Sequence, residues 1–199
     1  MKICKNYYPS MHPFLPPIAN DALDTIVEGG LVLAPTANLW QVLSDYRKAD
    51  TMNRHLALCP PSPVNRPELL FADLEMLQKW FPRLHPKIDN LLLYHRRPCT
   101  VLLPISKKIP DQLADNNGLV AARLILDSFC YRLSEELESP LLASMAMAEH
   151  TDLPVRFGKV RSDILRQMDH VVQRRQREDV GDGPAVTLYL NEADEIVFI

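Results

Sequence analysis

The sequence predicts a single α/β domain with mixed strand directions, and three observations predict it. Short apolar runs bounded by glycine and proline alternate with segments of helical spacing almost throughout. The stretch Glu28-Gly29-Gly30-Leu31-Val32-Leu33-Ala34-Pro35-Thr36 reads as a helix end, a glycine stop, a strand covered on both faces and a sharp Pro-Thr exit. A chain of 199 residues, 47% hydrophobic and 24% charged, has enough apolar material for one continuous core.

Residues 1–19 carry Pro9, Pro13, Pro16 and Pro17 and read as an extended arm, with Tyr7, Tyr8 and Phe14 available to pin it; the domain proper is expected over 20–199. Asn20 or Asp21 is the expected cap of a first helix that buries Leu23, Ile26 and Val27. The strand Leu31–Ala34 follows, ended by Pro35, which has no amide hydrogen to give. Beyond it, Trp40 reads as a core or pocket-wall aromatic rather than a platform for a base. A short helix over Asp50–Leu58 stops before the stiff loop Pro60-Pro61-Ser62-Pro63. Pro67–Phe71 is a second strand. Asp73 caps a helix with Leu74, Leu77 and Trp80 at helical spacing, and Lys87–Tyr94 makes another.

The cationic turn His95-Arg96-Arg97 leads into a third strand, Val101–Leu103; a solvated turn is its plainer reading, an anion-facing one the sharper. Ile109–Ala114 is a helical turn. Leu119–Leu124 is a strand with Arg123 inside an apolar run. A cation there needs a partner or an opening, because an unpaired buried charge costs several kcal/mol. Asp127 caps a helix that turns Phe129, Cys130, Leu133 and Leu137 inward and Glu135, Glu136 and Glu138 outward. Pro140–Met147 is a buried strand in which Met145 and Met147 fill core gaps. Asp152–Met168 holds a loop and a helix, Val171-Val172 a brief strand, and Ala185–Leu190 with Glu195–Ile199 a closing hairpin.

Composition and motifs exclude several functions. Net charge is −3 and the pI about 6.1, which argues against a protein built chiefly to neutralise phosphate backbones. No apolar run reaches the ~18 residues of a membrane span, and the N-terminus has no apolar signal core, so a cytoplasmic protein without a membrane role is expected. Cys4, Cys59, Cys99 and Cys130 are scattered free thiols, and the six histidines show no metal-ligand spacing. Neither of the two commonest glycine-rich phosphate loops is present, nor a nucleophile elbow, and no paired carboxylates stand out as catalytic. Residue chemistry thus points to an anion-facing opening near Thr36, Thr100 and Arg123, with Thr36 at the C-terminal end of a strand, where open α/β sheets place ligands.

The order of these pieces resembles the YrdC-like domain family, especially its YciO-type branch, from about Asp21 to Ile199. Gly29–Thr36 is similar to the family's Gly-Gly, apolar strand and Pro-Thr. Trp40 stands where the family has an aromatic, Pro98–Leu103 resembles its Pro-x-Thr strand, and Leu119–Arg123 the strand that delivers an arginine to the pocket. Pro140–Met147 resembles the Pro-Leu-x-x-Thr-Ser-x-Asn segment, and Gly183–Leu190 with Glu195–Ile199 the closing strands. The resemblance implies a twisted open mixed sheet with helices on its faces and a concave cleft. It also implies relation to threonylcarbamoyl-AMP synthases, which use threonine, bicarbonate and ATP (with Mg) to begin a tRNA modification, and double-stranded RNA binding across the concave face. Thr36, Trp40, Thr100, Arg123 and Ser144 are the pocket residues it implies here.

Departures fall on the chemistry. The family's Lys/Arg-x-Arg pair, which holds phosphates, aligns with Ala57-Leu58-Cys59. Its Thr-Ser-x-Asn set appears as Ser144-Met145-Ala146-Met147, its closing Ser-Thr as Ala185-Val186, and its final arginine has no counterpart up to Ile199. Each charge-assisted hydrogen bond to phosphate is worth roughly 1.5–3 kcal/mol, so these losses together cost orders of magnitude in nucleotide affinity. Arg54, Arg66, Arg96 and Arg97 are the candidates to compensate. The expected function is therefore a relative without synthase activity and with no catalytic residue to name. Its cleft would be kept for a nucleotide, RNA or a protein partner. The alternatives are an ATP-using synthase with a remodelled site and, from the proline-rich arm and loop, a protein-interaction module.

Overall fold

The structure, a computed structural model, describes residues 17–147, 152–181 and 183–199, and the side chains from residue 20 onward. Residues 1–16, most of the expected arm, lie outside it, as does His150. The first helix, α1 (Pro17–Glu28), starts three residues before the expected cap, with proline in its opening turn, where a missing amide hydrogen costs nothing. Its buried side is narrower than expected: Ala22 and Ile26, four residues apart, are fully buried, whereas Val27 is 51% exposed, a hundred degrees further round the helix.

α1 ends as its glycines predict. Gly29 takes φ +92° and its N–H donates to the Ile26 carbonyl, while the Gly30 N–H donates to Thr25. A Cβ on Gly30 would fall 2.9 Å from the Thr25 carbonyl oxygen, so this position is closed by lack of space. Strand β1 (Val32–Pro35) follows and pairs antiparallel with β2 (Trp40–Ser44), from Val32 opposite Leu43 to Pro35 opposite Trp40. Pro35 thus still lies within the ladder.

Helix α2 (Ala49–Leu58), strand β3 (Glu68–Phe71), helices α3 (Leu74–Trp80) and α4 (Pro86–Tyr94), strand β4 (Cys99–Pro104) and strand β5 (Leu119–Leu124) come next. Asp73 caps α3 by accepting from the Met76 N–H, and Pro86 opens α4 behind the His85 cap. Helix α5 (Ser128–Leu137), capped by Asp127, leads to β6 (Leu141–Met145). The short α6 (Ser162–Leu165), the two-residue β7 (His170–Val171) and the hairpin β8 (Val186–Leu190) and β9 (Ile196–Phe198) complete the order.

Among the described residues nine strands form one open mixed sheet, β7-β1-β2-β6-β3-β5-β4-β8-β9. β1–β7, β3–β5 and β4–β8 are parallel and the other pairs antiparallel. Strand alternation divides the core between the two faces. Leu43, Leu70, Leu141 and Ala143 pack under α1 and α5 with Ile26, Phe129 and Leu133. Leu69, Phe71, Val101 and Leu142 point the other way, against Leu77 of α3 and Ile88 and Leu92 of α4. Beside them, Leu31, Leu33, Trp40 and Val42 pack against Ile164 of α6.

Candidate functional site

Where the α1/α5 face of the sheet is not covered by helix, the strand ends enclose a cleft of about 220 Å³. Gln41 of β2, Glu68 of β3, Arg123 of β5, Thr100 of β4 and Thr187 of β8 line it. Their placement follows from register. Arg123 is paired with Thr100 and Leu70, Thr100 with Thr187, and Gln41 with Met145, so alternating side chains from neighbouring strands converge on one side. The cleft is smaller than the roughly 300–1,000 Å³ of pockets that enclose a drug-sized ligand.

Arg123, 5% exposed, is the hub. Its Nη2 lies 3.0 Å from Glu68 Oε2 and donates to Gln41 Oε1 at 2.7 Å, and its Nη1 donates to Asn38 Oδ1 at 3.0 Å. Thr100 Oγ1 donates to Glu68 Oε1 at 2.5 Å. Asn38 extends the network by donating through Nδ2 to the Gly183 carbonyl at 2.9 Å. Gly181 packs against the same residue so closely that a Cβ there would come within 2.6 Å of Asn38 Cα. The partner that the lone arginine requires is therefore Glu68, with two neutral acceptors beside it. The cleft joins a positive and a negative charge in one hydrogen-bonded set.

The structure brings Thr100 and Arg123 together and places the other predicted residues differently. Thr36 is 2% exposed and engaged in its own turn: its N–H and its Oγ1 both donate to the Leu39 carbonyl, at 2.9 and 2.8 Å. It borders a separate small hollow, shared with Arg123 and Asp127. Trp40 is fully buried in the core, edge-on to Phe157 with ring centroids 5.1 Å apart. Ser144 is fully buried beside Val42, and its hydroxyl has no partner among the described residues. Both point to the face opposite the cleft, because their strand neighbours Gln41 and Met145 are the ones that line it.

Of the four compensating arginines, Arg66 alone lines the cleft. Its nearest described carboxylate is Asp115, 3.8 Å away, and the side chain is 32% exposed. Arg54 pairs with Asp169 outside the cleft lining. Arg96 and Arg97 are exposed in their turn and line neither cavity. The residues that sequence reasoning missed are Glu68, Gln41 and Asn38. One signal for Glu68 was available: it is an acid opening an apolar strand, the charge complement of the arginine in another.

Nucleophilic chemistry has no foothold in the three described thiols. Burial pushes Cys59 up to about 12 and Cys99 up to about 11, and the Cys130 thiol lies well above its usual range, also through burial. Among the described residues no group of three His, Cys, Asp or Glu side chains converges to hold a metal ion, and no helix is long and apolar enough to cross a membrane.

An open mixed sheet with helices on both faces and a polar cleft formed by strand ends defines the class. The Sua5/YciO/YrdC family model, described as "Telomere recombination", matches residues 24–193, and the chain belongs to this family. Escherichia coli YciO matches with a TM-score of 0.76 at 18% identity, over 95% of this chain and 92% of that one. P. abyssi Sua5 complexed with L-threonine matches at 0.74 and 20% identity, over 90% of this chain and 52% of Sua5. Full-length HypF in a phosphate- and nucleotide-bound form matches at 0.76 and 18% identity, over 95% of this chain and 24% of HypF. The chain thus spans about half of Sua5 and a quarter of HypF. No curated protein sequence matches it.

Proposed function

We propose that this chain is a YrdC-like domain related to the proteins of tRNA threonylcarbamoyladenosine synthesis that does not itself make threonylcarbamoyl-AMP. Its cleft serves as a binding site. The observation that carries this reading is the state of Arg123, whose guanidinium is already held by Glu68, Gln41 and Asn38. A triphosphate entering the cleft would meet two cations already beside carboxylates, Arg123 with Glu68 at 3.0 Å and Arg66 with Asp115 at 3.8 Å, and the negative charge of Glu68 itself. The residues present do not fit ATP with Mg, and no catalytic step is assigned through them. The solved HypF structure holds phosphate and nucleotide, and a Sua5 structure holds L-threonine; those ligands mark what the fold accommodates in other members.

The test is ATP-dependent pyrophosphate release with threonine and bicarbonate. Wild-type protein is expected to release none above a no-enzyme control. Release that depends on threonine would overturn the reading. Arg66 is the observation that favours the second reading, a synthase with a remodelled site, because it is the one compensating arginine that reaches the cleft. Under that reading, Arg66→Ala abolishes the release. Duplex RNA, the macromolecular ligand implied by the resemblance, is tested by gel shift at low salt, where phosphate contacts bind most strongly. A shift that weakens steeply with salt would assign the concave face to nucleic acid.

A further inference from the structure

An arginine at the floor of a polar cleft is a ready anion site, since its planar, permanently charged fork matches a carboxylate or phosphate. In this chain the anion is supplied from within. Glu68 Oε2 takes the Nη2 of Arg123 at 3.0 Å, and Glu68 Oε1 takes the hydroxyl of Thr100, the residue paired with Arg123 across the β4–β5 ladder. Glu68 is the more exposed of the ion pair, 14% against 5%, and both line the cavity. A carboxylate that served only to neutralise a core arginine has no need of an open cleft beside it. Here three strands, β3, β4 and β5, bring donors and acceptor together at the cleft wall, as they would around a bound acid.

We propose that Glu68 is a built-in occupant of an anion subsite formed by Arg123 and Thr100, and that it excludes acidic ligands from the cleft. The inference rests on the reading of the cleft as a binding site. With Glu68 replaced by glutamine, the guanidinium loses its counter-charge and one of the two carboxylate acceptors becomes an N–H donor, so Arg123 turns to whatever oxyanion the solution offers.

Inorganic phosphate is the probe, at constant ionic strength, with thermal unfolding as the readout. Wild-type Tm is expected to stay within about 1 °C between zero and about 10 mM phosphate. Glu68→Gln is expected to gain about 3–5 °C, the effect of a ligand at roughly ten times its dissociation constant on a domain of this size. The gain disappears in Glu68→Gln combined with Arg123→Gln. Equal gains in wild type and Glu68→Gln, or none in a folded Glu68→Gln, would overturn the proposal. A wild-type measurement keeps the question open to refutation if the variant does not fold. The Arg123 Nε–H resonance is expected to stay fixed on adding phosphate, and a saturable movement would show an open anion site and refute the masking. Pyrophosphate release by wild-type protein would refute the loss of synthesis whatever phosphate does to Glu68→Gln, so the two claims fail separately.

Discussion

Arg123 is the buried cation of the cleft, and the parallel β3–β5 register brings Glu68, fifty-five positions earlier in the chain, to answer it. His55 is the second residue with a measurable consequence. It is fully buried, its Nδ1 lies 2.8 Å from Ser44 Oγ, and burial lowers its pKa from 6.5 to about 3. Above pH 6.5 it is neutral folded and unfolded alike, so it adds no pH dependence. Below 6.5 the unfolded chain takes up a proton that the folded chain refuses, and stability falls as the pH drops toward 3. The slope from this one group reaches about 1.4 kcal/mol per pH unit. Urea unfolding at several pH values between 7.5 and 4.5 is expected to show that loss in wild type and a flatter dependence in His55→Gln. Identical slopes would contradict it.

At the scale of elements, most boundaries followed from capping residues and apolar runs. Asp73 and Asp127 cap α3 and α5 through the Met76 and Cys130 amides, as their positions predict. Strand β2 was the stretch that residue pattern left unassigned, because Trp40–Ser44 is buried on both faces and shows no alternation. The end of α5 carries a further prediction. Glu138 closes that helix in the left-handed region, φ 52° and ψ 31°, where a side chain is disfavoured and glycine is not. Its side chain is exposed. Glu138→Gly is therefore expected to stabilise the domain by about 0.5–1 kcal/mol, relief of left-handed strain outweighing the extra freedom of the unfolded chain. Chemical denaturation measures it, and a destabilised variant would show that the glutamate makes a contact worth more than its backbone strain.

At the scale of the molecule, the fold was readable because its signals are local and repeated: glycine stops, proline exits and apolar runs in an order shared with the family. The cleft was readable only in part. Thr100 and Arg123 were found because their residue types are conspicuous within strands. Trp40 and Ser144 were drawn in by motif position, yet strand alternation sends them to the opposite face from Gln41 and Met145. A one-residue difference along a strand reverses the face a side chain serves, and no composition or spacing rule fixes that before the register is known.

On the proposed reading the cleft's charges are satisfied from within, so the substrates of adenylate synthesis find no site. Thermal unfolding of the wild-type protein with ATP–magnesium, threonine, and both together is the deciding measurement. A ligand held at ~100 times its dissociation constant would add about 2.7 kcal/mol and raise Tm by several degrees. No shift is expected with any of the three at millimolar concentration. A rise of several degrees with ATP–magnesium, lost in Arg123→Ala, would show that Arg123 is free to hold a nucleotide and would contradict that reading.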